Sequence, residues 1–339
     1  MNSHSHQIRA LLVALLLLAL LCSACRRRGH RVLEVDYVSA PQVALRDQVA
    51  AVYNRVGTVK NGDRVDVLER EKRFSLVRTA SGMEGWIEQR YLVDQKTYDA
   101  LQALSAAHQT DAGQAPGVLR NDTNLHLSPG RETEHLYQLA SGAKVSILQR
   151  ATAEKTGGAA PAKPTGRAAA KAPAGPALED WWLVRDDQKR VGWVLARMVD
   201  VDAPLDIAQY AEGQRFVAFF VLNQVQDGDK KVPEYLCVLT DPHDGLPFDF
   251  DQVRVFTWNL RKHRYETAYR EHGLDGVLPV TVTQETFDKE GMLPVFVLRV
   301  KDDSGNVSER KYKLNTPMVR RVLAPGEVPV RTQSKRRRR

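Results

Sequence analysis

The strongest constraint on this 339-residue chain is an internal repeat. Gly85-Trp86-Ile87 returns as Gly192-Trp193-Val194, 107 residues later (192 − 85), and Leu76-Val77-Arg78 returns as Leu183-Val184-Arg185 at the same distance. Five positions further upstream recur after 80 residues (125 − 45): Leu45, Val56, Gly62, Val65 and Leu68 match Leu125, Leu136, Gly142, Val145 and Leu148. A repeat of this length predicts two copies of one small folded unit.

The second copy carries an insertion, because the two repeat distances differ by 27 residues (107 − 80). The stretch 156–176 is rich in Ala, Lys and Pro and lacks large apolar side chains. Such a stretch cannot offset its loss of chain entropy by burial. We therefore predict a disordered insertion over residues 152–178, grafted onto a folded unit.

Each copy contains apolar residues that alternate with polar ones after a Gly turn, as in Val65 and Val67 or Val145 and Ile147. Alternation with period two indicates half-buried strands. Four or five strands of this length form a small closed barrel more readily than an open sheet.

The order of these motifs resembles the bacterial SH3-like (SH3b) family. The shared features are an opening Leu and Arg, a Gly-x-x-Val-x-Val-Leu strand pair and a Gly-Trp-Ile strand before the closing residues. Phe74 departs from the Trp that the family favours, and the second copy has Trp181-Trp182. The resemblance implies two SH3b barrels in tandem, over 36–93 and 117–201, that hold cell-wall peptides.

The region 202–322 changes to longer alternating stretches separated by turns such as Asp227-Gly228-Asp229. Seven strands are predicted there: 215–225, 235–240, 253–258, 264–271, 277–282, 294–301 and 307–314. Seven strands joined by hairpins indicate an antiparallel sandwich or barrel. The fold class expected is all-β, with two SH3-like barrels in tandem, this third β domain and one short helix.

That helix falls in the linker 94–116, where Tyr98, Leu101 and Leu104 recur at spacing three after Asp94. Its narrow apolar stripe predicts that it packs back on the first barrel; a role in binding a partner is the alternative.

The N-terminus has the layout of a signal peptide, with Arg9, an apolar run over 10–21 and small residues before Cys25. Ser23-Ala24-Cys25 resembles a lipobox, which implies removal of residues 1–24 and lipidation of Cys25, although Cys22 stands where Leu is usual. Two acyl chains hold a protein stably on a membrane, and the basic tether 25–35 would lie against anionic headgroups. If the cell has an outer membrane, Arg26 in place of Asp after the Cys implies attachment to that membrane, facing the periplasm, by the sorting rule of such lipoproteins. The alternative is an uncleaved anchor, because Arg clusters resist export.

The basic character of the chain has two possible meanings. The net charge is +8, and residues 323–339 end in five consecutive basic residues. In a cytoplasm such a tail suggests nucleic acid. In an exported chain we expect no nucleic acid, and phosphate-bearing lipids or polymers, or solvent alone, are the alternatives.

Two groups of residues could in principle support catalysis or metal binding. Cys237 could pair with His243, His263 or His272, but it lies in a strand-like run and not at a helix start, where a thiol pKa falls. A buried small hydrophobe is the competing interpretation. Asp241, His243, Asp244, Asp249 and Asp251 resemble metal ligands, but Pro and Gly mark a solvated loop. We expect no enzyme, no metal and no cofactor.

The candidate ligand-binding residues are Tyr53, Asn54, Arg55, Trp86, Trp182 and Trp193. Trp86 and Trp193 cover barrel ends or line a groove, and 53–55 lie in the loop that borders the groove of SH3-like folds. The expected function is a non-catalytic envelope lipoprotein that binds peptidoglycan through tandem SH3b domains. The alternative is a scaffold whose C-terminal β domain docks another envelope protein.

Overall fold

The computed structural model describes residues 30–156 and 176–323. The predicted signal peptide with Cys22 and Cys25, the middle of the insertion and nearly all of the basic tail lie outside the described residues. Within the described part, no helix has the length and apolar character that crossing a membrane requires. The chain divides into two compact units, residues 1–94 and 95–339.

The first unit is a curled antiparallel sheet of seven short strands. They are β1 (Glu34–Val38), β2 (Gln42–Arg46), β3 (Arg55–Lys60), β4 (Arg64–Glu71), β5 (Phe74–Thr79), β6 (Glu84–Glu88) and β7 (Leu92–Asp94). Their order in the sheet is β3-β2-β6-β5-β4-β1-β7. Alternate residues point inward, and the core they enclose consists of Val38, Leu45, Val59, Val65, Val67, Val77 and Ile87. We call this sheet the first barrel.

The repeated Gly-Trp motif marks a place where β6 lies close against β2. A Cβ at Gly85 would lie 2.7 Å from the Cβ of Leu45, and a Cβ at Gly192 would lie 2.7 Å from the Cβ of Leu125. Atoms cannot approach so closely, so only glycine allows the two strands to cross here. The repeated Gly62 serves a different purpose, because its φ of +84° belongs to a turn that disfavours other residues.

The second unit begins with a barrel of the same strand order, as the repeat predicts. Its strands are β8 (Ala115–Leu119), β9 (Thr123–His126), β10 (His135–Leu139), β11 (Lys144–Glu154), β12 (Leu178–Arg185), β13 (Val191–Leu195) and β14 (Val199–Val201). They are ordered β10-β9-β13-β12-β11-β8-β14, which reproduces the first barrel strand for strand. We call this sheet the second barrel.

The helix α1 (Gln95–Ala107) packs on the second barrel, so the expectation that it packs on the first barrel is wrong. Leu104 joins a cluster with Leu148, Leu183 and Val191. The Ser105 hydroxyl accepts a hydrogen bond from the backbone N–H of Val191 at 3.0 Å. The short apolar stripe of the helix is therefore buried against the barrel that follows it in the chain.

The ends of the predicted insertion are ordered. The hairpin of β11 and β12 continues to the pair Glu154 and Leu178, so residues 152–154 are strand and not loop. Cross-strand pairing extends the sheet beyond the repeat. Composition alone does not predict this extension. Within the predicted insertion, residues 157–175 lie outside the described part.

The rest of the second unit is one antiparallel sheet of seven strands in sequence order, preceded by the short helix α2 (Leu205–Ala208). The strands are β15 (Arg215–Asp227), β16 (Lys230–Thr240), β17 (Phe250–Asn259), β18 (Arg264–Phe287), β19 (Gly291–Lys301), β20 (Val307–Asn315) and β21 (Met318–Val322). The all-β fold class is confirmed. Two predicted strands, 264–271 and 277–282, are halves of β18, whose first half pairs with β17 and second half with β19.

The second barrel and this C-terminal sheet share one apolar core. A single cluster joins barrel residues such as Trp182 and Val194 to sheet residues such as Phe250 and Phe296. A buried charge network lies beside it, in which Asp180, fully buried, accepts hydrogen bonds from Arg150 and Arg215 at 2.6 Å each. The two parts therefore fold as one compact unit.

Candidate functional site

A groove of about 470 Å³ runs across the first barrel, between the loop 47–54 and the hairpin turn between β4 and β5. We call it the first-barrel groove. It is lined by Arg46, Val49, Ala50, Ala51, Lys72, Arg73 and Phe74. One wall is therefore formed by the small apolar side chains of the loop, and the opposite wall by Phe74 and two exposed cations, Lys72 and Arg73.

The loop 47–54 is closed at its base by Asp47 and Asn54. The Asp47 carboxylate accepts the backbone N–H and the side-chain amide of Asn54, both at 2.8 Å. These hydrogen bonds lower the pKa of Asp47. The Gln48 amide donates to the carbonyl of Val52 at 3.0 Å and braces the tip. The loop is thus preformed, although Val52 is 83% exposed.

Arg46 joins this loop to the barrel. Its guanidinium lies 4.1 Å from the ring centroid of Tyr53 and 5.0 Å from that of Phe74, within the range of cation–π attraction. Its Nη2 also lies 3.4 Å from Oε1 of Glu88. Arg46 is therefore held in place, and Glu88, which also pairs with Arg90 at 3.0 Å, offsets part of its charge.

Lys72 and Arg73 supply the charge that a ligand could use. Both are exposed at the turn between β4 and β5, and the guanidinium of Arg73 lies 5.4 Å from the centroid of Phe74. Within the described residues, neither side chain forms an ion pair. An anionic group that enters the groove can therefore pair with either cation without competing with a carboxylate of the protein.

The second barrel has different chemistry at the equivalent place. His126 replaces Arg46 and Trp181 replaces Phe74, with their ring centroids 5.3 Å apart. Burial, and then the neighbouring His135, lower the pKa of His126, which favours the neutral imidazole. Arg131 is paired with Glu179, and the cavity is only about 260 Å³. The two barrels do not present the same site.

Residues 42–93 match the family model described as "Bacterial SH3 domain". The first barrel is a bacterial SH3 domain. The match confirms the resemblance inferred from the motifs, and it extends from β2 to the middle of β7.

No curated protein matches the chain. Three solved structures are similar to it: NlpC2 from Trichomonas vaginalis (11% identity, 81% of this chain and 96% of that one, TM-score 0.17), an NlpC/P60 family protein from Bacillus cereus ATCC 10987 (10%, 84% and 95%, 0.22) and NlpC1 from Trichomonas vaginalis (8%, 70% and 88%, 0.17).

These neighbours contradict two expectations. NlpC/P60 proteins form a family of cysteine peptidases and amidases, so the expectation that the chain is not an enzyme is wrong and is withdrawn. The function built on it, a non-catalytic lipoprotein with a scaffold as its alternative, is withdrawn as well. At TM-scores of 0.17 to 0.22 the likeness carries no catalytic residue over to this chain.

Cys237 is not placed to act as a nucleophile. It lies in the middle of β16 and is fully buried, packed with Ile207, Tyr235, Phe256 and Tyr265. Burial raises the pKa of its thiol far above the ordinary value, so the reactive thiolate does not form there near neutral pH.

The acidic loop after β16 is used for structure. Asp244 pairs with Arg215, and Asp249 pairs with Arg150 while accepting the backbone N–H of Leu278. Among the described residues, no group of three or more His, Cys, Asp or Glu side chains could hold a metal ion.

The structure brings some predicted site residues to the groove of the bacterial SH3 domain and not others. Tyr53 supports the groove through Arg46, and Trp86 lies opposite Arg46 on β6, on the same face of the sheet. Asn54 closes the loop base, and Arg55 donates to the Thr58 hydroxyl outside the groove lining.

The two tryptophans predicted in the second barrel have structural roles. Trp182 is 2% exposed in the shared core, so it cannot line a surface groove, and we remove it from the candidate set. Trp193 packs against the cluster that Leu104 of α1 covers.

Sequence reasoning missed Lys72, Arg73 and the small residues 49–51. The sequence carries a partial signal, because Phe74 and the Arg of the opening Leu45-Arg46 pair are positions of the family motif. The pairing of a turn between β4 and β5 with a loop 20 residues earlier required the three-dimensional fold.

Proposed function

We propose that the bacterial SH3 domain binds short anionic peptides of peptidoglycan in the first-barrel groove. The observation that carries the proposal is the pair of cations, Lys72 and Arg73, opposite a wall of small apolar side chains. The volume of about 470 Å³ suits a ligand of a few residues.

The ligand class follows from this chemistry. Peptidoglycan stem peptides are short, rich in alanine and carry free carboxylates. Methyl groups can pack on Val49 and Ala50, while a carboxylate can accept hydrogen bonds from Lys72 and Arg73. The braced loop supports affinity, since a preformed groove loses little freedom on binding.

The proposal concerns one barrel. The second barrel replaces the Arg46 and Phe74 positions by His126 and Trp181 and has a smaller cavity. Of the two arginines that line this cavity, Arg131 is already paired with Glu179, so a carboxylate meets less available positive charge there. We therefore expect the first-barrel groove to be the main wall-peptide site of the chain.

We also propose that the chain is exported and held on the membrane by a lipid at Cys25. The support is the layout of residues 1–25, in which an apolar run precedes small residues and a cysteine. With labelled fatty acid, Cys25→Ser should abolish incorporation and Cys22→Ser should preserve it. Equal labelling of both variants, or an unlabelled wild type that retains Met1, would exclude this anchor.

Retention on purified sacculi tests the wall-binding proposal. Lys72→Gln and Lys60→Gln remove the same charge from the first unit, but only Lys72 lines the groove. We expect Lys72→Gln to reduce retention of the full-length chain several-fold while Lys60→Gln matches wild type. Equal retention of the two variants would show that net charge, and not the groove, causes binding.

A further inference from the structure

A second cavity, of about 760 Å³, lies at one end of the C-terminal sheet. It is bounded by the turn between β15 and β16, the turn between β17 and β18, and residues of and after α2. We call it the hairpin cleft. Nothing in the internal repeat or the match to the bacterial SH3 domain concerns this region, because both end before β15.

The walls of the hairpin cleft carry aromatic rings in fixed orientations. The ring of Trp258 meets that of Tyr265 edge to face, with centroids 4.9 Å apart. The indole N–H of Trp258 donates to Oδ2 of Asp227 at 2.8 Å. Tyr210 is held against Phe256, with centroids 5.2 Å apart. Rings fixed in this way can receive a ligand without losing side-chain freedom.

One end of the cleft is acidic. Asp206 of α2 lines it, is exposed, and forms no side-chain hydrogen bond or ion pair within the described residues. Burial raises the pKa of Tyr235, and the nearby Asp206 carboxylate adds to the increase. Burial also raises the pKa of Tyr265, with smaller contributions from Tyr235 and Asp206. A carboxylate beside aromatic rings attracts an ammonium group, both by charge and by the ring quadrupoles.

The other end of the cleft is basic. Lys230, Lys231 and Arg264 line it and are exposed. Arg264 approaches Glu266 only to 3.6 Å, while Lys262 approaches the same oxygen to 2.8 Å.

The two aspartates at this end, Asp227 and Asp229, do not offset all three cations. Asp227 accepts from His263, at 2.7 Å, and from Trp258, and its carboxylate also attracts Lys230, so it offsets part of the positive charge of this end. Asp229 lies in the turn beside Lys230 and can offset one lysine at most. Exposed cations therefore remain for a ligand carboxylate.

We infer that the hairpin cleft binds a peptide segment that carries both a primary ammonium group and a carboxylate. The ammonium lies by Asp206 and the aromatic wall, and the carboxylate lies by Lys230 and Arg264. A purely anionic ligand would be repelled at Asp206, and a purely cationic one at the basic end. The inference does not depend on the wall-peptide groove, which lies in the other compact unit.

Isothermal titration of the full-length chain with three probe peptides tests the inference. The first is N-acetylated Ala-Lys-Ala with a free C-terminal carboxylate; the second has its lysine side chain acetylated; the third is the C-terminal amide. We expect the first to bind, and each modified peptide to bind about tenfold more weakly, the usual effect of losing one charge-assisted contact. All titrations use the Lys72→Gln background, so that binding in the first-barrel groove is weakened equally for every variant.

Variants of the chain assign the two ends. Asp206→Asn should weaken the first peptide about tenfold and should leave the lysine-acetylated peptide unchanged, since that contact is already lost. Arg264→Gln should also weaken the first peptide about tenfold and should leave binding of the C-terminal amide unchanged. Asp202→Asn and Lys289→Gln, exposed and outside the cleft, are the matched controls. Equal affinity for all three peptides, or no binding of the first, would overturn the inference without bearing on the groove.

Discussion

The guanidinium of Arg46 lies 4.1 Å from the ring centroid of Tyr53, across the base of the loop 47–54. This contact couples a strand of the bacterial SH3 domain to the loop that forms one wall of its groove. The repeat places His126 and Thr133 at the corresponding positions of the second barrel, where the Thr133 hydroxyl lies 3.1 Å from Nδ1 of His126. The same strand arrangement thus carries different side chains, and so different surfaces, in the two barrels.

Asp36 makes the stability of the bacterial SH3 domain depend on pH. Its side chain is 3% exposed, and burial together with repulsion from Glu34 raises its pKa to about 6, although Arg70 opposes the increase. The folded domain therefore holds the proton more tightly than the unfolded chain. Stability should fall as pH rises from about 4 to 7, by roughly 2 to 3 kcal/mol.

Replacing Asp36 by Asn should remove this dependence and stabilise the domain above pH 7. Hydrogen exchange of residues 34–94 in the full-length chain, corrected for intrinsic rates, measures the effect. Glu69→Gln, an exposed change in the same strand pair, is the control. If the Asp36→Asn domain is less stable than wild type at pH 8, the Arg70 ion pair outweighs the cost of burying the carboxylate.

Asp180 should be the most sensitive charged position of the second unit. It is fully buried and accepts hydrogen bonds from Arg150, Arg215 and the backbone N–H of Gly245. Asp180→Asn leaves two guanidinium groups without their shared partner, which should cost about 3 to 5 kcal/mol in the free energy of unfolding. Urea denaturation measures the change.

Asp200→Asn provides the comparison for Asp180. Asp200 pairs with Arg120, but both side chains are 56% exposed, so the loss should stay within about 0.5 kcal/mol. Equal effects at the two positions would mean that the buried network does not hold the second barrel to the C-terminal sheet.

Removal of residues 157–175 should be tolerated. The paired ends Glu154 and Leu178 keep the hairpin in register, and shortening a loop changes its closure free energy by only about 0.6 kcal/mol per halving. A short Gly-containing turn should replace the segment with little change in melting temperature. A large decrease would show that the segment packs on the folded unit.

The sequence predicted the barrels well because their signals are local and occur twice. Gly85 and Gly192 are retained since a Cβ at either position would collide with the facing leucine, and this requirement is visible as a repeat. The apolar alternation around Val65 and Val145 likewise predicts which face is buried.

Other features depend on long-range contacts that no local sequence pattern predicts. The side on which α1 packs was decided by Leu148, Leu183 and Val191, far along the chain. Trp181 and Trp182 are equally buried, but it is Trp182 that belongs to the core shared by the second barrel and the C-terminal sheet. Lys72 becomes a candidate site residue only when the fold brings its turn opposite the loop 47–54.

Calorimetric titration with a purified peptidoglycan stem peptide tests the central claim most directly. The full-length chain should bind the peptide with free carboxylates, and amidation of those carboxylates should weaken binding about tenfold. Lys72→Gln should weaken the unmodified peptide by a similar factor and leave the amidated peptide unaffected, while Lys60→Gln should match wild type. If amidation has no effect, or if Lys60→Gln weakens binding as much as Lys72→Gln, the first-barrel groove is not the site of wall recognition.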